Sequence, residues 1–225
     1  MATPPTTRLE HCGTAVRALR EIGVEFYRRG WSLGTSGNYS VVVAREPLRL
    51  LITASGKDKG RLGDADFLIV DETGQTTEGG PARASAETPL HLPIARQPNV
   101  GAVLHTHSVC ATVLSDARCA EGRVEIAGYE MLKGLAGVTT HETRVGIEIV
   151  DNSQDTAALS AWILERIQDR QHPLRHGFLI RGHGLYTWGR DLDEARRHVE
   201  ILEFLFEVLV RREAYPAPRS TPRPK

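Results

Sequence analysis

Residues 100–108 read VGAVLHTHS, and how this stretch is read decides what the chain can fold into. Val100 to Thr106 reads as a strand running into the tetrapeptide HTHS. Side chains alternate between the two faces of a strand, so His105 and His107, two residues apart, would turn both imidazoles to one face. That arrangement suits a single metal ion. Imidazole binds zinc at roughly 2.0–2.1 Å, and a catalytic zinc typically holds three protein ligands and keeps a further position open. A third ligand is therefore required. His183, in RGHGLYTWG, is the best candidate: it follows the apolar run FLI, and its flanking glycines allow close backbone approach or an unusual turn. Spacing alone does not join it to the pair. A lone histidine is more often a surface or hydrogen-bonded residue than a ligand, and a bare His-x-His is a weak signal. The remaining histidines, His11, His91, His141, His172, His176 and His198, are read as structural.

Working outward, a helix is expected over residues 86–96 just before this strand, and short β-branched runs at 39–44, 48–54 and 67–71 read as strands of one sheet. Before them, Leu9, Cys12, Val16, Leu19, Ile22 and Phe26 recur at three- and four-residue spacing, the pattern of one apolar helix face. Thr7 with Glu10 resembles a capping box for that helix, and Gly30 supplies its stop. Downstream, strands are expected at 124–127, 145–150 and 178–181, with a helix over 155–167. The last strong element, residues 191–212, opens on acidic residues and closes on Arg211 and Arg212, which complements a helix dipole. Its apolar band, from Ile201 to Val210, is too wide for a helix with one solvated side, so burial in the core and in a subunit contact is expected. The pattern is mixed α and β.

The chain has 225 residues, 40% of them apolar, which fits one compact domain over residues 7–212. Residues 213–225 form a Pro/Arg-rich tail expected to be disordered. Twenty-eight basic residues balance 28 acidic ones, so no global field would draw the chain to nucleic acid or an anionic membrane. The N-terminal stretch lacks a basic region followed by an apolar one, and no segment approaches the roughly 20 apolar residues of a membrane span. A cytoplasmic protein is expected. Cys12, Cys110 and Cys119 show no Cys-x-x-Cys spacing and read as reduced small side chains.

Three turns rich in small residues could present backbone N–H groups to an anion: residues 35–38 (TSGN), 53–57 (TASGK), and 84–86 (ASA) before the helix near Glu87. None matches a P-loop, and each alone reads as an ordinary turn. Glu87 and Glu130 are the carboxylates best placed in sequence to move a proton beside a metal-polarised carbonyl. Glu130, in GYEMLKGL, has apolar neighbours that would raise its pKa if it is buried.

Taken in order, TSGNYS, TASGKDKG, SAETPLH, AVLHTHS and RGHGLYTWG resemble the class II aldolase family of metal-dependent sugar-phosphate enzymes. Each motif is weak alone, but the ordered set is specific and covers most of the chain. The resemblance implies an α/β fold, an α/β/α sandwich around a mainly antiparallel central sheet, and a homotetramer with active sites near subunit interfaces. It implies one zinc ion per subunit on His105, His107 and His183, with Glu130 as proton donor and acceptor. It further implies a small phosphorylated ketose as substrate, its phosphate held by Gly37, Asn38, Ser55, Gly56 and Ser85, with Lys57 or Lys59 as charge partner. Glu87 is expected as an occasional ligand or a residue just behind the ligands.

Within the family, GYEMLKGL, THET and DNSQD are most similar to the dehydratase branch acting on 5-methylthioribulose 1-phosphate in methionine salvage. The alternative is an aldolase or epimerase of the fuculose- or ribulose-phosphate type, because all share metal–carbonyl chemistry. A second alternative is a non-catalytic scaffold, as in the adducin head domain; retention of the three histidines argues against it.

Overall fold

The computed structural model describes residues 9–214. Five α-helices and nine strands follow one another among these residues: α1 (Gly13–Arg28), β1 (Asn38–Arg45), β2 (Leu48–Thr53), β3 (Phe67–Asp71), β4 (Thr76–Glu78), α2 (Thr88–Ala95), β5 (Ala102–Thr106), α3 (Val109–Ala117), β6 (Arg123–Ile126), β7 (Val145–Val150), α4 (Thr156–Gln168), β8 (Phe178–Ile180), β9 (Gly184–Gly189) and α5 (Leu192–Ala214). The strands form one sheet in the order β4-β3-β2-β1-β5-β9-β8-β7-β6. Every neighbouring pair is antiparallel except β7 with β8.

Alternation along the strands sorts side chains between two helical layers. Leu50, Ile52, Leu68, Val103, Ile180 and Tyr186 pack with Leu90 and Ile94 of α2 and Ile163 of α4. On the opposite face Leu51, Ile69 and Leu104 pack with Leu19 and Phe26 of α1 and Val199 of α5, while Leu179 and Leu185 meet α3 and the rest of α5. The result is the expected α/β/α sandwich with a mainly antiparallel sheet.

Most expected elements are present with ends shifted by a residue or two. Three were not anticipated: β4, α3 and β9. The N-terminal helix begins with a 3-10 turn over Leu9–Cys12, and the Thr7 cap lies outside the described residues. So do residues 215–225 of the expected tail. In α5, Ile201, Leu202, Leu205 and Phe206 are buried as expected, whereas Phe204 stays 44% exposed.

Candidate metal centre

The site forms where β5 ends and β9 begins, beside the start of α2. Cross-strand pairing sets His105 opposite Tyr186 and Thr106 opposite Leu185, so the residue preceding β9, His183, arrives beside the HTHS turn. Gly184 is required for this approach: a Cβ there would lie 2.0 Å from the Thr106 carbonyl oxygen. Gly37 plays the same part on the other side of β5, with φ +74° and room for a Cβ only 2.5 Å from the His105 carbonyl oxygen. Glu87 precedes α2, which packs on the sheet face shared by Val103 and Tyr186, and reaches the cluster from that side.

Four donor atoms, one each from Glu87, His105, His107 and His183, lie within 4.8 Å of one another. His105 Nε2 is 2.8 Å from His107 Nε2, which is 3.0 Å from His183 Nε2. Glu87 Oε1 stands 3.3 Å from His183 Nε2 and 3.7 Å from His105 Nε2. Ligands at 2.0–2.1 Å in a tetrahedral set stand roughly 3.3–3.4 Å apart, so the spacing suits a zinc-sized ion.

Hydrogen-bond accounting points the same way. His105 Nδ1–H donates to the Leu185 carbonyl at 2.9 Å, which leaves only a lone pair on its Nε2. A single hydrogen on His107 Nε2 could serve one of its two imidazole neighbours, never both. A cation between the three nitrogens would satisfy all of them. Burial, then the neighbouring histidines, holds the His105 pKa well below its usual value. Burial first and His183 second bring His107 to about 4, and burial lowers His183 against the opposing pull of Glu87. The three rings are thus neutral at neutral pH, the form that ligates a metal.

The structure brings Glu87 to the three histidines and joins the Ser55 and Ser85 turns through backbone contacts. Ser85 Oγ accepts from the Glu87 N–H at 3.2 Å, and Ser55 N–H donates to the Arg83 carbonyl at 2.9 Å, so these two turns are joined. Beside them opens a cavity of about 980 Å³ lined by Ser55, Lys57, Asp66, Gly80, Arg83 and Ala86. Gly56 has φ +69° and open space around it. Lys57 pairs with Asp66 at 2.8 Å, whereas Lys59 is buried and donates to the Thr35 and Lys57 carbonyls at 3.1 and 2.8 Å. Burial lowers the Lys59 pKa to about 8 against the attraction of Asp58, Glu87 and Asp66. Asn38 has its side chain engaged: Nδ2 donates to Glu87 Oε2 at 2.7 Å and Oδ1 meets His91 Nε2.

Glu130 opens a 3-10 turn over Glu130–Gly134 and is not among the clustered ligands. The burial on which a raised pKa depended is not met. Its side chain is 67% exposed and pairs with Lys133 and with His141 Nδ1 at 3.2 Å. The hydrogen bond from Lys133 lowers its pKa, because the turn points the carboxylate outward while Leu132 takes the buried position.

Two residues of the site escaped the sequence reading. Tyr186 is fully buried and stacks on His105 at 3.9 Å between ring centroids. His91, read as structural, lies on α2 one turn after Glu87, at a four-residue spacing that puts both on one helix face.

Comparison with known proteins agrees with this architecture. The model of the class II aldolase and adducin N-terminal domain family matches residues 17–210. A protein of Marinobacter nauticus called methylthioribulose-1-phosphate dehydratase is 47% identical over 197 residues, covering 86% of this chain and 91% of the relative. A protein of the same name from Pectobacterium atrosepticum is 52% identical over 186 residues, covering 82% and 87%. The crystal structure of L-fuculose-1-phosphate aldolase from Thermus thermophilus superposes with a TM-score of 0.72 at 24% identity, covering 92% of this chain and 99% of that one, which speaks for the fold alone. With its sandwich, its histidine and carboxylate cluster and a family match running from α1 to α5, the chain belongs to the class II aldolase and adducin N-terminal domain family.

Proposed function

We propose that this chain is a zinc-dependent hydro-lyase that removes water from 5-methylthioribulose 1-phosphate and yields 2,3-diketo-5-methylthiopentyl 1-phosphate, a step of methionine salvage. The observation that carries this reading is the intact Glu87, His105, His107 and His183 cluster in a chain 47–52% identical to proteins named for that reaction. Zinc held by the three histidines would supply Lewis-acid polarisation of the substrate ketone.

The chain's own residues divide the remaining work. The Ser55 and Gly56 turn, the neighbouring Ser85, and Gly37 hold the phosphate and fix the reacting carbons. Lys57, on the wall of the cavity, faces the phosphate, while buried Lys59 places a positive charge close to Glu87 and His107. Asn38 serves this site through Glu87. Glu130, kept deprotonated by Lys133, takes the proton from C3 and delivers it to the hydroxyl leaving C4 as water; the enol so formed tautomerises to the diketone.

An exposed carboxylate outside the ligand cluster suits action across a subunit boundary, and we assign Glu130 to the centre of a neighbouring copy in a homotetramer. Val109 and Val113 of α3 and Phe204 of α5, which are 71%, 49% and 44% exposed, supply apolar surface for such an assembly. No helix among the described residues is long and apolar enough to cross a membrane. The proposed location is the cytoplasm.

The test is zinc-dependent loss of water from methylthioribulose 1-phosphate by the wild type and by Glu130→Gln, with product analysis on fuculose and ribulose phosphates alongside. Dehydration that collapses in Glu130→Gln is the expected result. Full turnover by the variant would remove Glu130 from the reaction, and faster cleavage or epimerisation of the other sugars would replace the dehydratase reading.

A further inference from the structure

We infer that Ser40, His91 and Asn38 form a directed hydrogen-bond relay that orients the Glu87 carboxylate at the metal centre, with His91 as its positioning residue. The inference rests on the proposed metal centre for its purpose and on the geometry of four side chains for its form.

His91 is fully buried on the side of α2 that packs on the sheet, and both of its ring nitrogens are occupied. Nδ1 lies 2.8 Å from Ser40 Oγ, and Nε2 meets Asn38 Oδ1. Asn38 Nδ2 lies 2.7 Å from Glu87 Oε2. Ser40 and Asn38 are two apart on β1 and so share the face turned to α2; both are almost completely buried.

The direction of each bond follows from the chemistry at the Glu87 end. A carboxylate can only accept, so the Asn38 amide must turn its NH2 toward Glu87 and its oxygen toward His91. That oxygen can only accept, so the hydrogen of the neutral imidazole sits on Nε2. Nδ1 is then an acceptor, and Ser40 Oγ–H donates to it. The relay runs one way, from Ser40 through His91 and Asn38 to Glu87 Oε2. It leaves Oε1 turned to His183 and His105.

His91 braces a second ligand as well. It meets Tyr186 edge-on, with ring centroids 5.7 Å apart and planes at 74°, and Tyr186 in turn stacks on His105 with planes at 13°. Packing alone would be served by an apolar side chain in this place. A histidine needed only for packing would also commonly end its hydrogen bonds on backbone, whereas both ring bonds here go to side chains and one leads to Glu87. Burial holds the ring neutral, with a pKa lowered to about 3, so the relay keeps its direction through the physiological range.

The experiment measures zinc affinity by chelator competition for the wild type, His91→Gln and His91→Leu, with folding checked by circular dichroism. Loss of a group that orients a ligand typically weakens metal binding by about 10–100-fold, and that is expected of His91→Leu. The amide of His91→Gln can donate to Asn38 from the position of Nε2, so its affinity should stay within about threefold of the wild type on the same scale. Equal losses in the two variants, or wild-type affinity in His91→Leu, would overturn the relay. If His91→Leu does not fold, Ser40→Ala takes its place, with a weakening of about threefold or more supporting the relay and unchanged affinity overturning it. Nitrogen-15 NMR of the metal-free wild type reads the tautomer without any variant: Nε2–H is expected, and Nδ1–H or an imidazolium at neutral pH would sink the idea. A wild type that binds no zinc yet shows the Nε2–H tautomer would instead bring down the proposed metal centre.

Discussion

Replacing Glu203 by glutamine should stabilise the protein at pH 8 and leave it little changed at pH 4. Glu203 projects from α5 into the sheet and is only 2% exposed. Its Oε1 accepts from Thr106 Oγ1 at 2.8 Å. Burial raises its pKa to about 7, with the Ser108 and Thr106 hydroxyls pulling the other way. In the unfolded chain the same carboxyl titrates near 4.3. The folded state therefore holds this proton more tightly, so the contribution to stability is complete below about pH 4.3 and is lost as pH rises through about 7. Each pKa step is worth about 1.36 kcal/mol, giving a total loss of about 3–4 kcal/mol across the window. Glu203→Gln keeps an acceptor for Thr106 and has nothing to titrate. Urea denaturation of metal-free wild type and variant, at steps from pH 4.5 to 8.5, should show the two stability curves separating as pH rises. The buried histidines titrate in both proteins and cancel in the difference. Parallel curves would refute the reasoning.

Further outcomes follow from neighbouring geometry. Gly184→Ala should weaken folding by about 2–4 kcal/mol and impair zinc binding, because its Cβ would force β9 away from the Thr106 carbonyl; an unchanged melting temperature would count against this. Lys59→Met should stabilise the fold at pH 7 by about 1–3 kcal/mol while lowering turnover, since burial penalises the ammonium. Because the wild-type lysine has its folded pKa lowered to about 8, the wild type should regain that difference as pH rises toward about 10.4, which denaturation at pH 7 and 10 would reveal. His107→Ala should purify with little zinc by elemental analysis, and a full complement of metal would displace His107 from the ligand set.

Several parts of this picture were legible in residue order. The apolar spacing of Leu19, Ile22 and Phe26 predicts α1, and the β-branched runs predict β1, β2 and β3, because each pattern reports one buried face of a local element. Asp155 caps α4 as a start signal should, accepting from the Ala158 N–H at 2.9 Å. The unanticipated elements lacked such signals. Strand β4 is three polar residues, and α3 leaves Val109 and Val113 facing outward, so neither carries a clean apolar period. In β9 the glycines flanking His183 read as close backbone approach or an unusual turn, neither of which announces that Gly184 to Gly189 are all buried strand. The exposure of Glu130 was left open for a related reason: apolar neighbours in sequence do not fix which way a 3-10 turn faces.

Local sequence determined that His105 and His107 share a face, since alternation along a strand follows from backbone geometry within a few residues. It also marked His183 and Glu87 as candidates without joining them to that pair. Only the tertiary structure decided their meeting, because the pairing of β5 with β9 and the packing of α2 on the sheet are set by burial between segments far apart in the chain. The same long-range packing placed His91 behind Glu87 and Glu203 behind Thr106, where no local pattern could have announced them.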